Sequence, residues 1–233
     1  MSTKPLSILI ALVLVAIASR VDAQCEDGRC PLPGWQPSRV PAERANPAVC
    51  RVINTDRGGR NLGSGTLVTM PGAKTIVLTC AHLFRGNQSQ VIVELPTLGQ
   101  FRARVLAIDE TNDLAALGLN RPVSTNVRVN CESPRGELVA CGFGPDGRYA
   151  CARGPAVGDA THRGATYPSL MIRGSVRQGD SGGGVFNRQG ELVGVIWGVR
   201  AGITYATFGQ PLRQLFERVA QSPTPAELPR QSS

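Results

Sequence analysis

The sequence predicts an all-β fold of two packed six-stranded antiparallel barrels with a C-terminal helix. Three observations indicate this fold. From Arg51 onwards, short β-prone runs alternate with clusters of Gly, Pro and Asn. The runs fall into two sets of about six, separated by a polar connection at 120–126, and two packed barrels require this number of strands. One amphipathic stretch near the end of the chain has the spacing of a helix.

The elements follow in chain order. The strands of the first set are predicted at 51–54, 66–70, 75–79, 91–94, 101–109 and 114–119. Those of the second set are predicted at 127–130, 137–143, 170–172, 185–187, 192–197 and 203–207. The run 101–108 alternates in part, as a half-buried strand should. The helix is predicted at 211–220, opened by a proline, with one apolar face formed by Leu212, Leu215, Phe216 and Val219.

The start of the chain has the layout of a secretory signal peptide. Lys4 precedes an apolar run at 6–18, and small residues lie before a cut after Ala23. A signal peptide at 1–23 predicts a secreted or periplasmic protein with no membrane contact after cleavage. A retained anchor is the alternative, although the apolar run is short for a bilayer.

The predicted organisation of the mature chain has three parts. An irregular, proline-rich extension covers 24–49. One domain follows at 50–220, with barrel one at about 50–119, barrel two at about 127–210 and the helix at 211–220. The tail at 221–233 is rich in Ser and Pro and is predicted to be disordered.

Charge and cysteine content exclude several classes. The net charge is +8, but the arginines are scattered and aromatic residues make up only 5%, so we predict no nucleic-acid partner. No two cysteines have Cys-x-x-Cys spacing, and neither a metal site nor a cofactor is predicted. An exported chain can oxidise its seven cysteines, and proximity suggests the pairs Cys25–Cys30 and Cys141–Cys151. Seven is odd, so at least one thiol is free or pairs with another chain.

The strongest chemical signal is the glycine-rich segment around Ser181, Arg-Gln-Gly-Asp-Ser-Gly-Gly-Gly. A serine hydroxyl is a poor nucleophile until a base takes its proton, and it needs N–H donors aimed at the developing oxyanion. A glycine-rich turn exposes the hydroxyl and lets backbone amides point at one spot. Taken alone, the segment is also compatible with an ordinary turn.

Two histidines and two aspartates compete to serve this serine. His82 ends an apolar strand and is a good platform for a base, whereas His162 lies in a polar loop and is expected to be an exposed residue. Asp113 opens an apolar strand, where burial would require a partner such as an imidazole N–H. Asp109 is the competing acid, and we expect it to be a surface carboxylate at a strand end.

These segments resemble those of the trypsin-like (chymotrypsin-fold) serine proteases over about residues 50–220. Thr-Cys-Ala-His ending at His82, Asn-Asp-Leu-Ala around Asp113 and Gly-Asp-Ser-Gly-Gly around Ser181 match the family's motifs in order. The resemblance implies that Ser181 attacks a peptide carbonyl, His82 acts as base and acid, and Asp113 orients the imidazole. It also implies a polypeptide substrate, and protein inhibitors as further partners.

The resemblance extends to the residues around the substrate. It implies an oxyanion hole formed by the N–H groups of Gly179 and Ser181. The substrate-binding residues that it implies are Ser175, Gln178, Ile196, Trp197 and Gly198. Ser175 takes the pocket-base position and carries no charge, which disfavours Lys or Arg side chains. The nearby Arg173, Arg177 and Arg200 would either favour acidic side chains or serve surface solubility.

The chain also departs from the family pattern. It has no Ile-Val-Gly-Gly segment to supply an inserted N-terminus, so Asp180 is expected to lack the usual ammonium partner. In this respect the chain resembles the compact bacterial and high-temperature-requirement-type branches. The disulfide beside the histidine is missing, because Leu83 follows His82 and Gly63 takes the partnering place. Cys50 and Cys80 are candidates for another staple in barrel one.

Two other functions compete with a protease. Gly179-x-Ser181-x-Gly183 also matches the nucleophile elbow of an α/β-hydrolase esterase, but that fold has its histidine after the serine, and no histidine follows Ser181. The second alternative is an inactive homologue that serves as a binding or scaffold module. An unpartnered Asp180 would favour it, because the oxyanion loop could collapse.

Overall fold

The computed structural model describes residues 45–56, 59–70, 75–86, 90–125, 127–162 and 164–221. The predicted signal peptide, the Cys25–Cys30 pair and nearly all of the predicted extension and tail lie outside these residues. The strands are β1 (Val49–Asp56), β2 (Gly59–Thr69), β3 (Thr75–Thr79), β4 (Gln90–Leu95), β5 (Gly99–Asp109), β6 (Leu114–Leu119), β7 (Glu137–Phe143), β8 (Tyr149–Ala160), β9 (Ser169–Arg173), β10 (Gly184–Phe186), β11 (Leu192–Arg200) and β12 (Ile203–Phe208). A 3-10 turn (Ala81–Phe84) follows β3, and helix α1 (Gln210–Gln221) ends the described part.

The twelve strands close into two antiparallel barrels, as the sequence predicts. Barrel one has the order β1-β2-β3-β6-β5-β4, and barrel two has the order β10-β11-β12-β9-β8-β7. Closure leaves neither sheet with an unpaired edge. Among the described residues, no helix is long and apolar enough to cross a membrane.

The strand sequences account for the barrel interior. In β4 the alternate residues Val91, Val93 and Leu95 are buried, which is the period-2 pattern of a strand with one apolar face. β3 is different, because Ile76, Val77 and Leu78 are all fully buried. A strand with apolar residues on both sides packs inside its own barrel and also against the rest of the molecule.

One strand prediction in the second set is wrong, and one strand is missing from the predictions. The run at 127–130 is not a strand, because only Val129 forms a bridge, to Leu192. β8 is not among the predicted strands, and its sequence is rich in Gly, Ala and Pro. Gly154 in β8 has a packing reason: a Cβ placed there would lie 1.7 Å from the carbonyl oxygen of Arg173, so only glycine fits.

The C-terminal helix packs one face against barrel one. Leu212, Leu215 and Val219 are fully buried, in agreement with the predicted apolar face. Phe216 is only partly buried but contacts the same core. The helix therefore packs against the first barrel, although it follows the second barrel in sequence.

The cysteines agree with one prediction and contradict another. Cys141 and Cys151 form a disulfide between directly paired positions of β7 and β8. Cys50 and Cys80 are both free and fully buried, so the staple expected in barrel one is absent. Burial makes these two thiols small apolar packing groups. Near them, Gly63 packs so closely on Leu83 that an added Cβ would lie 2.5 Å from its Cδ1.

Candidate active site

His82 lies in the 3-10 turn directly after the buried strand β3. The Asn54 side chain, itself buried, donates to the carbonyl of Leu83 at 2.8 Å and fixes this turn to β1. Leu83 and Phe84 are buried, whereas His82 retains partial exposure. The buried side chains of Leu83 and Phe84 therefore anchor the turn, and the imidazole of His82 stays partly exposed.

Both oxygens of Asp113 bind His82. The imidazole Nδ1 lies 2.6 Å from Oδ2, and the backbone N–H of His82 donates to Oδ1 at 2.7 Å. A carboxylate accepts hydrogen bonds only, so in the neutral imidazole Nδ1 carries the proton and Nε2 has the lone pair. The imidazole is thus held in one orientation and one tautomer, with its basic nitrogen directed away from Asp113.

Asp113 is held in an unusual backbone conformation. Its φ is +53°, in the left-handed region that non-glycine residues rarely adopt. The preceding carbonyl, that of Asn112, accepts a hydrogen bond from the buried hydroxyl of Thr207 in β12 at 2.7 Å. Such conformations persist where the surroundings over-determine them, and they cluster at functional sites.

Asp109 is buried, which contradicts the expectation of a surface carboxylate. It is 8% exposed and accepts hydrogen bonds from the backbone and side-chain nitrogens of Asn112 at 3.1 and 3.0 Å. Arg218 of α1 donates to it at 2.9 Å. Asp109 therefore closes the turn before Asp113 and ties that turn to the helix, and it takes no part in binding His82.

Ser181 lies in a loop of two consecutive β-turns. The Asp180 N–H donates to the carbonyl of Arg177 at 3.1 Å, and the Gly183 N–H donates to the carbonyl of Asp180 at 2.9 Å. The third residue of each turn is a glycine with positive φ, +84° at Gly179 and +87° at Gly182. These conformations explain the glycines of the motif, because other residues are strained there.

The Ser181 loop is attached to both barrels. From barrel one, Ser64 donates its N–H to the Ser181 carbonyl at 2.7 Å and its hydroxyl to the Gly179 carbonyl at 2.8 Å. From barrel two, Ile196 accepts from the Gly182 N–H at 2.7 Å. Gly182 sits so close to Ser64 that a Cβ would lie 2.1 Å from the Ser64 carbonyl oxygen. These contacts place the serine at the junction of the barrels.

Among the described residues, the Ser181 hydroxyl makes no hydrogen bond to His82, and the N–H groups of Gly179 and Ser181 donate to no acceptor. Serine–histidine hydrogen bonds are often long before substrate binds. Both amides belong to the two turns of the Ser181 loop. The structure therefore brings His82 and Asp113 into direct contact and places Ser181 at the junction of the barrels, with no direct bond to His82.

Asp180 has a partner, contrary to expectation. Arg177 donates its backbone N–H and its guanidinium Nε to Oδ2 at 2.6 and 3.3 Å, and its Nη2 to Oδ1 at 3.0 Å. The Asp180 side chain is 3% exposed. Burial raises the pKa of Asp180, while the hydrogen bonds and charge of Arg177 oppose this rise. Arg177 is consequently neither a solubility residue nor a free contact for acidic substrates.

Cys80 lies beside the His82–Asp113 pair. Its thiol donates to the carbonyl of Ile196 at 2.9 Å, the same oxygen that accepts from Gly182. Cys80, His82 and Asp113 form the one group in the described part of the chain whose ligand atoms could surround a metal, all within 4.8 Å. Burial, followed by the charge of Asp113, raises the pKa of Cys80 well above its usual value. Metal binding requires the thiolate, so the site favours a neutral thiol instead.

His162 is not an exposed loop residue, as the sequence suggested, but half-buried against Trp197. The centroids of the two rings lie 4.5 Å apart, and the Tyr205 ring lies 5.3 Å from that of Trp197. The buried hydroxyl of Ser169 accepts from Trp197 Nε1 at 3.1 Å and lies 3.2 Å from His162 Nδ1. Sequence reasoning missed this aromatic cluster because its members are far apart in the chain.

The other predicted substrate residues lie in β11 and in the loop between β9 and Ser181. β11 bulges at Trp197, so that Ile196 pairs with Ala206 and Gly198 with Tyr205. Ser175 is partly exposed, and Thr204 holds its neighbours by bonding the Gly174 carbonyl and the Val176 N–H at 2.6 and 3.3 Å. Gln178 is exposed at the first turn of the Ser181 loop.

Comparison with known proteins agrees with this architecture. Residues 63–195 match the family model described as trypsin-like peptidase domain. Serine endoprotease DegS of Haemophilus influenzae is 28% identical over 172 residues, which cover 65% of this chain and 48% of that protein. A probable periplasmic serine protease do/HhoA-like of the same organism is 27% identical over 179 residues, covering 71% of this chain and 38% of its own length. The chain thus spans less than half the length of these two relatives.

Solved structures share the fold. The Rv3671c protease of M. tuberculosis in its active form superimposes with a TM-score of 0.68 at 20% identity, covering 84% of this chain and 93% of that one. The HtrA-type protease AlgW with tripeptide gives 0.66 at 21% identity, covering 77% and 62%. The family match extends over more than half of the chain, and it confirms the resemblance seen in the motifs: the chain belongs to the trypsin-like peptidase family.

Proposed function

We propose that the protein is a serine endopeptidase in which Ser181 is the nucleophile, His82 the general base and acid, and Asp113 the residue that orients the imidazole. The observation that carries this proposal is the two-oxygen grip of Asp113 on His82, which leaves Nε2 as the only basic nitrogen of the ring. Family membership and the position of Ser181 at the barrel junction support it.

The reaction follows the triad scheme of this family. Ser181 Oγ bonds to the scissile carbonyl carbon while its proton moves to His82 Nε2. The proton then passes to the departing amine as the C–N bond breaks, leaving an acyl-enzyme. Water, deprotonated by His82, attacks the ester carbon, and the acyl–oxygen bond breaks with return of the proton to Ser181. Asp113 stabilises the imidazolium present between these proton transfers.

The oxyanion hole in this proposal consists of the N–H groups of Gly179 and Ser181. Both belong to the double turn, in which the glycine φ angles set the direction of the peptide planes. Preorganised donors of this kind stabilise the charge that develops on the carbonyl oxygen. Their fixed position depends on Ser64, because its hydroxyl and N–H bind the carbonyls of Gly179 and Ser181.

The substrate would be a polypeptide bound along β11. The bulge at Trp197 interrupts pairing with β12, and Trp197 and Gly198 would pair with an added substrate strand. Ile196 would only flank that strand, because its N–H and its carbonyl are bonded to Gly183 and Gly182. Ser175 and Gln178 would border the pocket for the side chain before the cut, and the absence of charge at Ser175 favours an uncharged residue there. Trp197, backed by His162 and Tyr205, would offer an apolar surface to neighbouring substrate residues.

The same proposal includes location and partners. The relatives named as periplasmic proteases and the signal-like start of the chain favour a secreted or periplasmic protein. Protein inhibitors that present an extended strand are further partners of β11. The alternative of an inactive homologue loses its main argument, because Asp180 does not lack a partner.

A fluorophosphonate probe tests the proposal. Purified protein should be labelled at Ser181, and peptide mapping should locate the adduct there. S181A should not be labelled, and H82A should be labelled far more slowly. Folded wild-type protein that remains unlabelled and cleaves no peptide in a library would refute the enzyme.

A further inference from the structure

We propose that Arg177 is the positioning residue of the oxyanion hole: it holds Asp180, and through Asp180 the double turn, so that no inserted N-terminus is needed. This inference rests on the proposed function, since it concerns the same loop. It adds a residue that binds neither substrate nor the reacting atoms but acts through Asp180.

The first end of Arg177 is the carboxylate of Asp180. Three N–H groups of Arg177, one from the backbone and two from the guanidinium, donate to its two oxygens. This two-pronged arrangement is geometrically specific for arginine, because a lysine ammonium cannot supply two parallel N–H groups. Arg177 thus fixes the orientation of the carboxylate as well as neutralising its charge.

Asp180 links the orientation of its carboxylate to the N–H groups of Gly179 and Ser181, because it belongs to both turns of the loop. It ends the turn that contains Gly179 and begins the turn that contains Ser181. Rotation of Asp180 would therefore redirect the N–H of Gly179 on one side and of Ser181 on the other. A carboxylate that is 3% exposed must also keep a cation nearby, since an unpaired buried charge is strongly destabilising.

The second end of Arg177 is the hairpin that joins β7 to β8. Its Nη2 donates to the carbonyl of Arg148 at 2.8 Å, and Gly144 packs on its guanidinium, where a Cβ would lie 2.8 Å from Cζ. The disulfide Cys141–Cys151 joins the two strands at the base of this hairpin. Arg177 therefore connects the Ser181 loop to a covalently closed anchor.

The positive charge of Arg177 beside Asp180 explains how the oxyanion loop can be held in its active arrangement without cleavage of the chain. The cation that holds Asp180 is three residues away in the same loop. The ion pair between Arg177 and Asp180 forms as the loop folds, so it requires no ammonium group newly generated by cleavage. Asp146 also lies near Arg177, 3.8 Å from its Nη1, but that carboxylate is exposed and its contact is long. Asp180 is thus the principal partner of Arg177.

The test compares R177Q, R177K and the matched surface control R188Q, using steady-state hydrolysis of a peptide or ester that the wild type cleaves. Loss of an oxyanion donor lowers kcat on the order of 100-fold. We expect a loss of this size for R177Q, a smaller one for R177K, and wild-type kcat for R188Q. KM should stay within about twofold, because substrate pairing with β11 does not involve the oxyanion hole.

Chemical rescue distinguishes positioning from general stability. The Arg177 side chain is 31% exposed, so a small cation can reach the space left in R177A. Guanidinium ion at low millimolar concentration should restore part of the kcat of R177A, whereas sodium at the same ionic strength should not. Thermal melts identify which variants are folded, and R177K serves for the comparison if R177Q is not.

The outcomes separate the two proposals. Wild type that is folded but neither labelled nor active refutes the proposed function. If the wild type is active and folded R177Q, or R177K in its place, retains full kcat, the role of Arg177 is refuted while the triad stands. A reduced kcat with no guanidinium rescue and an equal loss of kcat in R188Q would also overturn it.

Discussion

The hydroxyl of Ser64 donates to the carbonyl of Gly179 at 2.8 Å, and the Ser64 hydroxyl oxygen accepts from the N–H of Phe143 at 2.7 Å. Ser64 lies in β2 of barrel one and is fully buried, whereas Gly179 and Phe143 belong to barrel two. One hydroxyl group thus satisfies two backbone groups across the junction, next to the proposed oxyanion hole.

S64A should lower both stability and kcat. It leaves the Phe143 N–H and the Gly179 carbonyl without partners in a buried place, which costs about 1–3 kcal/mol for each unpaired group. T66V in the same strand is the matched control, because within the described part of the chain the buried Thr66 hydroxyl has no hydrogen-bond partner. Urea unfolding should show a loss for S64A and little change for T66V, and equal losses would contradict this reading.

D113N should reduce kcat without a matching loss of fold. An asparagine replaces one of the two accepting oxygens with an NH2 donor, so it cannot accept from the backbone N–H and from Nδ1–H of His82 at the two positions that Asp113 uses. The tautomer that exposes the Nε2 lone pair is then no longer enforced. The corresponding change in the family's template costs about 10⁴ in kcat, and we expect a similar loss here. Steady-state kinetics at neutral pH measures it.

D109N is the contrasting variant, four residues earlier. It weakens the bonds to Asn112 and Arg218, so it should lower the melting temperature more than D113N does and kcat far less. A loss of kcat for D109N equal to that of D113N would show that the two carboxylates act in the same way.

The order and spacing of motifs in the sequence were sufficient for the fold and for His82, Asp113 and Ser181 as candidates. Barrel strands with apolar periodicity, such as β4, could be read directly. β8 could not, because the close approach of Gly154 to Arg173 depends on a neighbouring strand. Local sequence holds no information about which residue will approach from elsewhere in the chain.

The same limit applies to the partners of the site residues. Arg177 is only three positions from Asp180, yet no feature of the sequence distinguished it from Arg173 and Arg200 as the partner of Asp180. The cluster of His162, Ser169 and Trp197 is assembled by three separate strands and loops. Contacts between such distant residues result from closure of the barrel, and composition and periodicity do not predict them.

Thiol reactivity should follow burial. Burial raises the pKa of Cys50 and of Cys80, and both are fully enclosed, so neither should react with iodoacetamide in the folded protein. Burial also raises the pKa of Cys131, but its enclosure is partial and Arg213 opposes the rise. Mass spectrometry after brief labelling should find Cys131 modified before Cys50 and Cys80. Early modification of Cys80 would indicate that the junction beside His82 opens readily.

The titration of Asp180 should appear in the pH dependence of stability. Because burial raises its folded pKa above the unfolded value, the fold disfavours ionised Asp180 relative to its protonated form. The stability linked to this group is therefore fully present below the unfolded pKa and is lost as pH rises through the folded pKa.

The unfolding free energy of wild type minus that of D180N, measured in urea, should increase as the pH falls from about 7 to about 4. A difference that stays flat, or decreases towards acid, would mean that Arg177 outweighs burial in setting the pKa of Asp180.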